Sequence, residues 1–299
     1  MGELKFTQEN CQIVTDDSCC LGSEELSRLG VEAIPFMATI NQLETPVRTL
    51  LKRKEFILFV GTAPSLSIIN DTISDVAELL DEKDKSLNAK DRILIFNTSC
   101  FSGGLGMFVT LFVNFINKKP RIHDELLAYT QFLANHIAHF FVEPKEKRWN
   151  NLIYVPRTGP VNYDGGKFRG NHGVYNHLAA TFRDYAYHAD EKVWICHGEV
   201  AESFHHARNL ARQFKRCCPD SHLDLSHRIM PHTVANLTDD AVACFFLSTD
   251  VRPDEPGPYY SELQYQEIEE KNNIAKENIT AITRFAQAFR KNPCLSSEN

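Results

Sequence analysis

Hydroxyl side chains recur at one kind of place in this sequence, just where short apolar runs end. Thr15 and Ser18 close the run that starts at Cys11. Thr62 and Ser65 follow Phe56–Val60, and Thr98, Ser99 and Ser102 follow Arg92–Phe96. Three such loops meeting at one point can hold a carboxylate or a phosphate by O–H donation. The unpaired N–H groups of the following helices add to the pull on an anion. Asp16 stands in the first loop. Arg169, in Lys167-Phe168-Arg169-Gly170, is a further candidate anion contact. Any one of these hydroxyls is equally well explained as a helix cap; the joint pattern is what points to a site.

Other chemistries find less support. The sequence has no Gly-x-x-x-x-Gly-Lys-Ser/Thr and no Gly-x-Gly-x-x-Gly. It has no Gly-x-Ser-x-Gly elbow either. Ser99 and Ser102 do sit on a similar strand-to-helix turn, so a serine-dependent hydrolase or phosphotransferase with a nearby histidine is the alternative from the enzyme class. The twelve histidines are scattered. His205–His206 lacks an acidic partner at metalloprotease spacing and reads as solvated surface. His197, at a strand end, reads as a structural hydrogen bond before a ligand group. No metal and no cofactor are expected. Nine cysteines, with adjacent pairs at Cys19–Cys20 and Cys217–Cys218 and no Cys-x-x-Cys, suit reduced thiols in a cytoplasmic protein.

The elements that must position these residues come next. The chain has 299 residues, 43% hydrophobic and 24% charged, which is globular composition and enough to bury a real core. A net charge of -7 disfavours nucleic acid or an anionic membrane as the main partner. No uninterrupted apolar run reaches about eighteen residues, so no integral membrane segment is expected. The first ten residues carry Glu3, Lys5 and Glu9, which argues against a secretory signal. Strands are expected at Cys11–Thr15, Val31–Ile40, Phe56–Val60 and Arg92–Phe96. Helices are expected from Ser23 to Gly30, over Ser67–Leu80, and from the Gly103-Gly104 pair to Asn117. Alternation of this kind, with strands apolar on both faces, predicts a parallel sheet. In an open sheet of that type, ligands bind beyond the carboxyl ends of the strands, where the hydroxyls lie.

Farther along, His123–Ala138, Tyr175–Tyr187 and Ala201–Arg216 read as helices. His139–Val142, Val193–Cys196 and Ala241–Leu247 read as strands, and Trp149–Asp164 as strands with a turn. Pro253, Pro256, Gly257 and Pro258 mark a boundary, after which Tyr260–Lys291 reads as a polar helix or helix pair. The expected division is an N-terminal α/β domain over 1–120, a second α/β domain over 121–250 and a helical extension over 251–299.

Several segments, in order, resemble the DegV family of bacterial fatty-acid-binding proteins. Ile13-Val14-Thr15-Asp16-Asp17-Ser18, with Leu29-Gly30-Val31-Glu32-Ala33-Ile34-Pro35, is similar to that family's opening. Gly61-Thr62-Ala63-Pro64-Ser65 resembles its "TSQPS" loop and Thr98-Ser99-Cys100-Phe101-Ser102-Gly103 its "SSGLSGT". Asp164-Gly165 through Arg169-Gly170, Ile195-Cys196-His197-Gly198 and the stretch ending at Phe245-Phe246 complete the series. The resemblance covers about residues 11–247. It implies two α/β domains with an apolar tunnel between them and a long-chain fatty acid in the tunnel. The carboxylate would be held by Thr62, Ser65 and Thr98 or Ser99, and the acid presented to a separate fatty acid kinase, with no catalysis by this chain.

The departures are specific. The first Thr of "TSQPS" is Gly61 here. The family's "HTGPG" histidine falls on Asn236 when counted back from Phe245-Phe246 without gaps, and on His232 when a gap is allowed. The helical extension lies outside the family pattern. A third reading follows from these departures: a DegV-like fold kept as an interaction scaffold.

Overall fold

The computed structural model describes residues 4–64, 66–144, 149–154, 167–188, 192–229 and 237–249. Ser65, His232, Asn236 and the expected helical extension lie outside the described residues. The chain runs β1 (Cys11–Asp16), a 3-10 turn (Asp17–Cys19), α1 (Ser23–Leu29), β2 (Val31–Ile34), α2 (Ile40–Arg53), β3 (Phe56–Gly61) and α3 (Ile69–Lys83). A second 3-10 turn (Lys85–Leu87), α4 (Ala89–Arg92), β4 (Ile93–Asn97), α5 (Ser102–Lys118), α6 (His123–His136), β5 (Ile137–Val142) and β6 (Trp149–Tyr154) follow. The last described elements are β7 (Lys167–Arg169), α7 (Gly170–Tyr185), β8 (Lys192–His197), α8 (Ala201–Cys217), β9 (His222–Asp224) and β10 (Val242–Leu247).

The first sheet has the order β2-β1-β3-β4 and is parallel throughout, as expected. The second has the order β7-β6-β5-β10-β8-β9, and in it β8 and β9 alone pair in parallel. Alternation along the strands divides the core into three layers. One face of the first sheet (Val14, Ile34, Ile57, Phe59) packs on α2 and α3. Its other face (Ile13, Leu58, Val60, Phe96) packs on α5 and α6, which also meet one face of the second sheet (Phe141, Trp194, Phe245). The far face of the second sheet (Phe140, Ile195, Phe246) packs on α7 and α8.

Helix α5 therefore sits between the two sheets. Its buried residues run from Ser102 to Ile116 and face both ways, as a helix apolar on all sides must. Glycine makes the close fit possible. A Cβ at Gly104 would fall on the His139 Nε2 atom, and one at Gly106 on the Cys19 carbonyl oxygen.

The expected strand Val31–Ile40 ends early, at Ile34, and the chain then forms α2, a helix the sequence reading does not include. Pro46 lies inside it. An interior proline costs a hydrogen bond and argues against a helix. Burial of Leu43, Val47, Leu50 and Leu51 on the sheet outweighs that cost. At the start of the helix, Gln42 Oε1 accepts from the Thr39 N–H at 2.9 Å and from its hydroxyl at 3.0 Å.

Among the described residues no helix is long and apolar enough to cross a membrane. Eight described cysteines are free thiols, all buried except the half-buried Cys217.

Candidate ligand-binding site

The parallel register brings the ends of β1 and β3 side by side, with Thr15 opposite Val60. One residue further on, Asp16 and Gly61 both face the α2/α3 layer, because Val14 and Phe59, two residues earlier, do. Asp16 is fully buried there. Its Oδ2 accepts the Thr62 N–H at 2.6 Å, and its Oδ1 accepts the Thr62 hydroxyl at 3.0 Å and the Ser18 N–H at 3.1 Å. The Ser18 and Thr62 hydroxyl oxygens are 2.6 Å apart. Burial pushes the Asp16 carboxyl above the usual carboxylate range, against the hydrogen bonds from Ser18 and Thr62 that pull it down. Asn70, in the first turn of α3, donates its amide to the Thr62 carbonyl at 3.1 Å.

The other expected site residues are placed differently. Thr98 is buried beside this cluster, but its hydroxyl donates to the Gly61 carbonyl at 2.8 Å and accepts the Cys100 N–H at 3.0 Å. Ser99 is half-buried, with φ 50°. Ser102, fully buried at the start of α5, lies 3.2 Å from the Cys20 sulfur. Among the described residues no hydrogen bond joins either serine to an imidazole. Arg169 is exposed at the end of β7, on the outer edge of the second sheet. His197 makes the structural bond expected of it, its Nδ1 lying 2.7 Å from the Gly198 carbonyl. His206, expected at the surface, is buried. No cluster of three metal-ligating side chains occurs among the described residues.

On the same face of the first sheet lies a cavity of about 300 Å³, whose lining does not include Asp16, Ser18, Thr62 or Asn70. Its floor is the sheet (Val14, Ile34, Ile57, Phe59) and its roof is α2 (Leu43, Pro46, Val47, Leu50), with Glu32 and Gln42 adding polar groups to the lining. It follows the strands from the level of Ile57 and Ile93 to that of Ile34, which pairs with Asp16. That is about 12 Å by strand rise, and the same by helix rise from Gln42 to Leu50. The sequence reading puts the apolar slot between the two domains. There the described side chains pack on one another: Phe101 stacks on Phe141 at 5.2 Å, and Phe245 meets Phe141 edge-on at 5.5 Å. This cavity is on the opposite face of the first sheet.

Asn70, Phe59 and Gly61 are the members that sequence reasoning missed. Asn70 carried a signal, a polar residue on the buried face of a predicted helix. Phe59 and Gly61 carried one only together. A Cβ at Gly61 would lie 2.5 Å from the Phe59 ring and 2.9 Å from Asn70 Oδ1, so the missing side chain is what lets both close over that point.

Two packed sheets, the first parallel and carrying a buried Asp–Thr cluster at its carboxyl end, define a fold class that solved structures identify. The chain has the fold of DegV-family proteins. One from Corynebacterium glutamicum is 13% identical, with a TM-score of 0.63 over 82% of this chain and 99% of its own. A fatty-acid-binding DegV-family protein from Thermus thermophilus is 12% identical, with a TM-score of 0.64 over 80% and 99%. A stearic-acid-binding protein from Eubacterium ventriosum is 11% identical, with a TM-score of 0.65 over 79% and 98%. At these identities the likeness is one of fold. No protein-family model matches the chain, and no curated protein matches it.

Proposed function

We propose that this protein binds a single unbranched acyl or alkyl chain in the cavity beneath α2. The observation that carries the reading is the cavity itself. It is lined mainly by Leu, Ile, Val and Phe side chains, with Glu32 and Gln42 as polar groups in the lining. Its volume falls at the small end of the range for ligand pockets. Walls of Leu, Ile, Val and Phe favour an apolar guest over water. Each methylene transferred from water contributes about 0.8 kcal/mol, so the chain supplies the affinity. Carbon–carbon bonds of about 1.5 Å in a zigzag advance about 1.3 Å each, so the slot accepts a run of about nine carbons. Fatty acids bound by proteins of the same fold are ligands of this kind.

Met37 and Ile68 are 79% and 74% exposed. They flank the loops at the carboxyl end of the first sheet and give an arriving chain apolar surface to touch. The test is native mass spectrometry and lipid extraction of the purified full-length chain, repeated on Leu43→Trp. An alkyl-chain adduct in the wild type that is lost in the variant supports the reading. A wild type that carries no adduct, and takes up none of a series of added fatty acids and alcohols, refutes it.

A further inference from the structure

A buried histidine joins the two halves of the fold, and none of the groups around it lines the cavity. The side chain of His227 is 0% exposed. Its backbone follows β9 and runs beside the end of β8, where its carbonyl accepts the His197 N–H at 3.3 Å. The ring is set between two carboxylates from opposite halves. Its Nδ1 lies 3.5 Å from Oε2 of Glu25, in the first turn of α1. Its Nε2 lies 3.3 Å from Oδ2 of Asp224, the last residue of β9. One face of the ring lies on Trp194 of β8, with centroids 3.8 Å apart and planes 15° from parallel.

Both ring nitrogens are buried, and among the described residues neither makes a hydrogen bond elsewhere, so the two carboxylates are the polar groups they face. A neutral imidazole has one N–H and one lone pair. In either tautomer the lone pair would point at a carboxylate oxygen. An imidazolium offers an N–H to each acid, and the indole face attracts it as a cation. Charge balance points the same way. The Lys192 Nζ sits 2.7 Å from Asp224 Oδ2, so two cations match two anions only when the ring is charged. Unmatched charge in such a place is costly. Contact with His227, together with Lys192 and Ser226, holds the Asp224 carboxyl well below the usual carboxylate range, so this partner is a fixed anion. The charged groups facing the ring are thus Glu25 from α1 and Asp224 from β9, with Lys192 from β8 behind Asp224.

We infer that His227 is a doubly protonated link between the two halves, a pH-sensitive tie that holds α1 to the end of β9 and lets go when a rising pH takes its proton to solvent. The tie is present on the acid side and lost on the alkaline side. Helix α1 begins four residues after the turn Asp17–Cys19, so the tie anchors the chain close to the Asp16 cluster. It does not depend on what the cavity holds.

Two measurements on the full-length chain test this. In a long-range proton–nitrogen NMR spectrum at pH 6, both ring nitrogens of His227 are expected to carry protons; a neutral tautomer there overturns the inference. The second is a double-mutant cycle of Glu25→Gln and His227→Gln, read by urea unfolding at pH 6 and pH 9. A coupling of about tenfold in the unfolding constant is expected at pH 6, the worth of one charge-assisted hydrogen bond, and none at pH 9. No coupling at pH 6, or the same coupling at both values, overturns it. If His227→Gln fails to fold, Glu25→Gln alone decides. Its cost must be about tenfold larger at pH 6 than at pH 9, and an equal cost rejects the tie.

Discussion

The layers on the two faces of the first sheet are built from the same strands, yet one holds a cavity of about 300 Å³ while in the other the described aromatic rings meet closely. On the α5 side the contacts are aromatic and close: Phe96 against Phe112 at 5.4 Å, Phe101 stacked on His139 at 5.6 Å, and Phe245 edge-on to His139 at 5.4 Å. Glycines at 103, 104 and 106 let the helix backbone come down onto its neighbours. On the α2 side the walls are mainly aliphatic, no glycine interrupts the helix, and Pro46 keeps its ring in the roof. Room for a guest appears where the helix is held off the sheet. Where missing Cβ atoms let a helix sink in, the described side chains meet closely.

The sharpest way to break this contrast is to restore a side chain at the closest contact. Gly104→Val would place atoms on the His139 ring, and a loss of about 4 kcal/mol or outright failure to fold is expected, read by urea unfolding. An equivalent change on the cavity side should cost far less.

The second test is the pH dependence of the packed layer. His139 is buried and its pKa falls to about 4, because desolvation disfavours the charged ring more than a backbone hydrogen bond at Ile137 favours it. The unfolded chain then binds the proton more tightly than the folded one between about pH 6.5 and 4. Stability is therefore present above that window and is lost as the pH falls through it, by about 3 kcal/mol for this group. A flatter denaturation curve in His139→Leu between those limits confirms the assignment. An unchanged slope rejects it.

Thr62→Val removes the hydroxyl that donates to Asp16 but keeps the backbone bond, and should cost about 2 kcal/mol. The smallest expected effect separates the two layers most directly. Val47→Phe adds volume to the cavity and should be neutral or stabilising by about 1 kcal/mol while displacing an alkyl ligand. Val109→Phe, the same change in the packed layer, should cost about 1–3 kcal/mol. Equal melting shifts in the two variants would remove the distinction.

Much of this molecule was legible in its sequence. Short runs apolar on both faces, alternating with helices, announced the parallel sheet, and Thr15, Asp16 and Thr62 lie at the strand ends. The missing part has a definite cause. Thr39-x-x-Gln42, with Leu43, Val47 and Leu50 at helical spacing, is a signal for α2, but the apolar stretch before it reads as strand up to Ile40. Without α2 there was no roof and hence no cavity on that face. The direction of the hydroxyls was also beyond the sequence. Residue types showed that O–H groups would gather, but not that Asp16 and the backbone would take them first. Ser102 went astray for a related reason: which face of the sheet a loop residue ends on depends on φ values such as its 55°, which the residue type does not announce.

The position of α5 has a practical consequence. A helix wrapped on every side cannot belong to one half of the molecule. A fragment cut near residue 120 would carry α5 with the partner for one of its flanks gone, laying bare Phe101, which stacks on His139 and Phe141. Such a piece is expected to aggregate when expressed alone. The two sheets stand or melt together, and a swap of one half for that of a relative would need a matched α5 surface to survive.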